Sequence, residues 1–83
     1  MINSLPTLDL HGEYKESALI LTKEFISDNI VLKNEYVCIV HGIGNDILRK
    51  CVHEYLKKEK FVVDFKRDFF NLGSTIVKLK LKD

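Results

Sequence analysis

The sequence predicts a two-layer α/β sandwich of order βαβαββ, with a mixed four-stranded sheet and two helices on one face. Three observations carry that prediction. Residues 7–11 and 36–41 are short apolar runs that each end in His-Gly, and each precedes a stretch with apolar residues at helical spacing. Two alternating runs, 61–66 and 74–81, then follow with only a loop between them. At 83 residues the chain is one domain over 1–83, with a core from about 7 to 82.

The elements follow in order. Pro6 ends an irregular lead, and residues 7–11 form a first strand with Asp9 and His11 on one face, two residues apart. Gly12 breaks it. From about Tyr14 to Asp28 the pattern is helical, with Ala18, Leu21, Phe25, Leu19, Thr22 and Ile26 forming a broad apolar stripe. Lys15, Glu16, Lys23 and Glu24 make a solvated face opposite. Asp28-Asn29 begins the exit from this helix. Residues 36–41 are nearly continuous in apolar character, which predicts a central strand. A second helix runs from about Ile47 to Lys58, with Leu48, Cys51, Val52, Tyr55 and Leu56 recurring at helical spacing. Its closing lysines complement the helix dipole. His53, beside Glu54, is expected on its surface. In the third strand, 61–66, Val62 and Asp64 alternate against Phe61, Val63 and Phe65. Residues 67–73 form a loop that carries Phe69 and Phe70, candidates to stack on unpaired bases as exposed aromatics do in RNA-binding modules, against the expectation that one of them packs under the loop. In the last strand Val77, Leu79 and Leu81 oppose Lys78, Lys80 and Lys82.

Two parallel strands joined by a right-handed helical crossover end at the same edge of a sheet. His11 and His41 are therefore expected side by side, at the kind of edge where open α/β sheets hold ligands. The glycine turn 42–44, with the polar pair Asn45-Asp46, leads into a helix N-terminus whose backbone N–H groups favour anions, phosphate above all.

Composition narrows the classes. The chain is 46% hydrophobic and 30% charged, ordinary for a globular protein and unlike a disordered one. A net charge of +1 gives no general nucleic-acid signal, so any basic surface comes from local placement. Cys38 and Cys51 make neither a disulfide framework nor a zinc site and are expected as reduced core residues. The N-terminus lacks the charge-then-apolar order of a signal peptide, and no run approaches ~18 apolar residues. The expectation is a cytoplasmic domain with no membrane partner, acting as a monomer.

Three motifs occur in order: Leu8-Asp9-Leu10-His11-Gly12, His41-Gly42-Ile43-Gly44 followed by Leu48-Arg49, and Gly73-Ser74-Thr75-Ile76-Val77-Lys78-Leu79. Together they resemble the small MutS-related (Smr) domain from about Leu8 to Lys82. The resemblance implies a fold like the C-terminal domain of bacterial initiation factor three. It also implies a module that acts on nucleic acid, RNA or DNA, in many members as an endonuclease, found alone or at the C-terminus of a second class of MutS-like proteins working beside ribosomes or branched DNA. It associates the first motif with cleavage, hence Asp9 and His11, and the second with contact or catalysis, hence His41, Gly42 and Gly44, with Arg49 after it. The family commonly has a lysine where Ile43 stands and a third glycine where Asp46 stands. The first difference removes a cation from the phosphate cradle, and the second adds an anion that also makes a good helix cap.

Phosphodiester cleavage needs a base, an acid and donors for the developing charge. Asp9, His11 and His41 are the candidate catalytic residues. Gly12, Gly42, Gly44, Asn45, Arg49, Lys66, Arg67, Lys78 and Lys80 are the candidate contacts to nucleic acid. An RNA substrate supplies its own 2′-hydroxyl nucleophile. With DNA, water attacks, and a divalent ion such as Mg or Mn, for which Asp9 is a candidate ligand, is then expected. The bland alternatives are histidines that cap loops, glycines that merely turn, phenylalanines of which one packs under its loop, and lysines that protect an edge strand. A non-cleaving module that docks on nucleic acid or the ribosome is the other reading, and a structural or regulatory piece of a larger MutS-like chain is a third.

Overall fold

A computed structural model describes residues 4–44 and 46–81. The order is β1 (Thr7–Asp9), α1 (Lys15–Val31), β2 (Tyr36–Val40), α2 (Asp46–Lys58), β3 (Val62–Arg67) and β4 (Ser74–Leu79). The four strands form one sheet in the order β1-β2-β4-β3, with β1 and β2 parallel and the other pairs antiparallel. The predicted βαβαββ sandwich is the observed fold.

Strand alternation explains the layers. Val37 and Ile39 of β2 and Val77 and Leu79 of β4 are buried, while Tyr36, Cys38, Ile76 and Lys78 between them are not. The buried set joins Ala18, Ile26 and Ile30 of α1 and Leu48, Val52 and Leu56 of α2 in one apolar cluster, completed by Leu10. In each helix these residues recur every four positions, which lines them up on one face. Thr22 shares the α1 face, and its hydroxyl is satisfied by the Ala18 carbonyl at 2.7 Å. Each fully buried leucine or isoleucine contributes about 1.5–3 kcal/mol.

Four sequence expectations need correction. First, α1 continues to Val31 instead of leaving at Asp28-Asn29. Asn29 is 4% exposed, donates to the Phe25 carbonyl at 2.8 Å and accepts from Asn34 Nδ2 at 2.8 Å. This side chain ties the helix to its exit and does not break it. The chain turns instead at Lys33, with φ of 62°. Second, the alternation read for 61–66 slips at a bulge between Val62 and Asp64. Val62 and Phe65 therefore pack on the core, and Val63 is 56% exposed. Third, β4 is an inner strand paired on both sides, so its lysines protect no edge; the edges are β1 and β3. Fourth, the cysteines are free but only half-buried. Cys38 alternates with Val37 and Ile39 and so lies on the open side of the sheet. Among the described residues, no helix is long and apolar enough to cross a membrane.

Candidate functional site

The topology gathers three connections at one edge of the sheet. Asp9 pairs with Val40 and Val40 with Ser74, so the ends of β1 and β2 and the start of β4 lie level. The first His-Gly turn, the second His-Gly turn and the 68–73 loop all meet there. The N-terminus of α2 follows the second turn.

At the first turn, Asp9 and His11 form a closed pair. One carboxylate oxygen, Oδ1, accepts from the His11 ring Nδ1 at 2.7 Å and from the His11 backbone N–H at 3.0 Å. Both side chains stand in solvent, 77% exposed for His11 and 55% for Asp9. Hydrogen bonding to Asp9 raises the imidazole pKa, and hydrogen bonding from His11 holds the carboxyl below its usual range. With Nδ1–H committed to Asp9, Nε2 faces water and is the atom able to take or give a proton. Gly12 supplies a φ of +83° that lets the chain leave at once.

The second turn is built differently. His41 is 1% exposed, on the same side of its strand as Val37 and Ile39. Asp9, two places along from Thr7, is on the open side, so Asp9 and His41 lie to opposite sides of the sheet. The two His-Gly ends, expected side by side, do share one edge, but there His11 is exposed and His41 is buried. The His41 Nδ1–H donates to the Gly42 carbonyl at 3.2 Å, which leaves Nε2 to accept from the Thr75 hydroxyl at 2.9 Å. Thr75 Oγ1 in turn accepts from His53 Nε2 at 2.8 Å. This donor order assigns the tautomer of both rings. His53, expected on the helix surface, packs its ring 4.9 Å from Phe65 and 5.9 Å from His41. Burial lowers the pKa of His41 and pushes that of His53 down to about 4. Both rings are held neutral.

Gly73 closes the same turn from β4. Its carbonyl accepts from the N–H groups of His41 and Gly42 at 2.8 and 2.9 Å. A methyl group at Gly73 would meet the Ile43 nitrogen and Cγ1 at 3.1 Å, so a larger residue fits only if the second turn gives by a few tenths of an ångström. Gly42, with φ of +95°, makes the turn itself, and its N–H is already used. Gly44 is exposed. Asn45 lies outside the described residues.

The expected cations divide into two groups. Arg49 stands in the first turn of α2, just past the second His-Gly turn, and Arg67 reaches the Leu72 carbonyl beside Gly73; the charge of both lowers the pKa values of His41 and His53. Arg49 Nε bonds Asp46 at 3.2 Å, and Arg67 donates to the Leu72 carbonyl from Nε and Nη2 at 3.2 and 2.6 Å. Lys66 and Lys78 are instead on the open face of the sheet, Lys66 paired with Ile76 and Lys78 with Tyr36 and Asp64. Lys78 is 3.9 Å from a Glu35 oxygen and lies over the Tyr36 ring at 5.9 Å. Lys80 is exposed just past β4. The described residues contain no cluster of three or more His, Cys, Asp or Glu side chains able to hold a metal, so a cation there would find a sparse protein ligand set.

Sequence reasoning missed His53 and Thr75. A signal existed for the first: His53 is four residues after Arg49, on the flank of the Leu48–Val52–Leu56 stripe. Phe69 and Phe70, of which one was expected to pack under the loop, are 86% and 91% exposed.

The comparisons agree with this architecture. The Smr domain profile matches residues 8–80. The chain is 43% identical over 72 residues to endonuclease MutS2 of Helicobacter pylori, covering 87% of this chain and 9% of that protein. It is 41% identical over 76 residues to endonuclease MutS2 of a Geobacillus species, covering 88% and 10%. It therefore spans about a tenth of these relatives' length. The crystal structure of the Smr domain of Thermus thermophilus MutS2 superposes with a TM-score of 0.87 at 26% identity, over 90% of this chain and 98% of that one. YdaL of Escherichia coli, a stand-alone small MutS-related protein, gives 0.86 at 22% identity, over 89% and 63%.

Proposed function

The chain belongs to the Smr domain family, and from that premise we propose that it binds nucleic acid and cleaves a phosphodiester at the first His-Gly turn. The observation that carries the reading is the solvent-exposed Asp9–His11 pair, joined at 2.7 Å on the edge that also holds the second turn and its two arginines. The relatives named as endonucleases fit it. Asp9 accepts Nδ1–H and orients the ring. His11 Nε2 takes the proton of the nucleophile, the 2′-hydroxyl in RNA or water with DNA, and returns it to the leaving oxygen. Arg49 and Arg67 balance the charge that builds on the phosphoryl oxygens. His41 acts as a positioning residue: through Thr75 and Gly42 it fixes the turn beside which the phosphate rests. A Mg or Mn ion would have Asp9 as its protein ligand and would activate water.

Two observations favour a second reading, a docking module without cleavage. Asp46 occupies Arg49 at 3.2 Å, and Ile43 stands 71% exposed between the two glycines, so the cradle offers a phosphate less charge. The test is incubation of the domain with labelled single-stranded RNA, hairpin RNA and supercoiled DNA, with and without EDTA. His11→Ala and Asp9→Asn are run alongside. Cleavage that falls about 100-fold or more in His11→Ala is expected, the usual share of a general acid–base group. Cleavage unchanged in that variant would overturn the site, and binding without cleavage in the parent would establish the docking module.

A further inference from the structure

We infer that the 68–73 loop is a stacking platform for unpaired bases, so that the chain takes single-stranded stretches in preference to duplex. The inference deepens the nucleic-acid reading above and rests on it. Phe69 and Phe70 are the most exposed of the large apolar side chains among the described residues, at 86% and 91%, and they stand next to each other in the sequence. The rings of Phe69 and Phe70 sit 5.2 Å apart at 89°, so their free faces look in different directions.

The loop beneath them is braced. Asp68 Oδ1 accepts the Phe70 N–H at 2.9 Å, and Asn71 Oδ1 accepts the Gly73 N–H at 3.0 Å. Asp68 N–H reaches the Ser74 carbonyl at 2.9 Å, and Ser74 N–H the Asn71 carbonyl at 3.0 Å. The Arg67 guanidinium crosses to the Leu72 carbonyl, and Gly73 seats the loop on Ile43 of the second turn. The two rings are thus presented on a fixed mount, at little further loss of freedom on binding.

Charge selects the occupant. The loop is entered through Lys66 and Arg67, both exposed, and its far end rests on the turn flanked by Arg49. Aromatic faces a few residues along the chain from cations match alternating bases and phosphates. In a duplex the base faces are closed, and two rings raised this far from the surface find nothing to stack on.

The experiment measures fluorescence anisotropy with a labelled 15-nucleotide uridine oligomer and a labelled RNA duplex of 15 base pairs. Three proteins are compared: the parent chain, a Phe69→Ala/Phe70→Ala variant, and a Phe69→Leu/Phe70→Leu variant. Both positions are exposed, so both variants keep the fold, which circular dichroism checks. The parent is expected to prefer the oligomer. The alanine variant should lose about fivefold or more per ring on the oligomer and nothing on the duplex. The leucine variant should fare as badly, because it keeps apolar area but no aromatic face. A parent that prefers duplex, an alanine variant that binds the oligomer like the parent, or a leucine variant with full affinity would each overturn the platform while leaving nucleic-acid binding in place. A parent that binds neither probe would overturn the nucleic-acid reading itself.

Discussion

His11 and His41 each precede a glycine at the end of a parallel strand, yet the first imidazole stands in water beside Asp9 and the second is 1% exposed among buried residues. The difference follows from one position of strand parity. His41 continues the inward series Val37, Ile39, and must therefore find internal partners in Thr75 and Gly42. His11 lies beyond the short β1, free of the pleat, and keeps Nε2 for outside chemistry. The proposed function uses the same dipeptide once as a reagent and once as a fastening. Burial, more than motif, divides the two tasks.

The comparison can be broken at the buried member with the largest effect. His41→Ala leaves the Thr75 hydroxyl without its acceptor and a void under α2, and should cost about 2–4 kcal/mol in urea denaturation. A cost below about 1 kcal/mol would mean that the fastening role is wrong. Gly73→Ala comes next. Its Cβ meets backbone atoms of Gly42 and Ile43, which cannot swing aside, and a loss of about 1–3 kcal/mol is expected in the same assay.

Acid should sharpen the contrast by a smaller amount. His41 and His53 have folded pKa values below 6.5, about 4 for His53, so the unfolded chain binds more protons in that window. Stability from this pair is present above pH 6.5 and is lost as pH falls toward 4. His11, with a raised pKa, has the opposite sign: its contribution holds below pH 6.5 and is lost as pH rises through the folded value. In His53→Gln the acid-side slope should shrink, which denaturation curves at pH 5 and pH 7.5 would show. The smallest effect is at the exposed member, where His11→Ala should change stability by no more than about 0.5 kcal/mol. A larger loss would place His11 in the fold's own framework and outside catalysis.

Periodicity carried most of the fold because the signals were local. The spacing of Leu48, Val52 and Leu56 and the alternation of Val77 and Leu79 are each visible within a few residues. Three features were hidden because partners outside the hydrophobic pattern decide them. Asn29 reads as a helix breaker until its oxygen accepts from Asn34 five residues on. The phase of β3 turns on a bulge against β4. His53 is polar and beside Glu54, and only the distant Thr75 and Phe65 draw it inward. At the site, Asp9 and His11 were legible as a pair two residues apart, whereas the depth of His41 depends on what covers it.

The strand order has a consequence for where the chain can be cut. β2 is flanked by β1 and by β4, which comes last of the four strands in the sequence. Without residues 73–79, one margin of β2 has no neighbour, His41 has no Thr75 and the second turn has no Gly73 carbonyl. A chain cut before Gly73 would carry both His-Gly dipeptides without the shape that sets them apart.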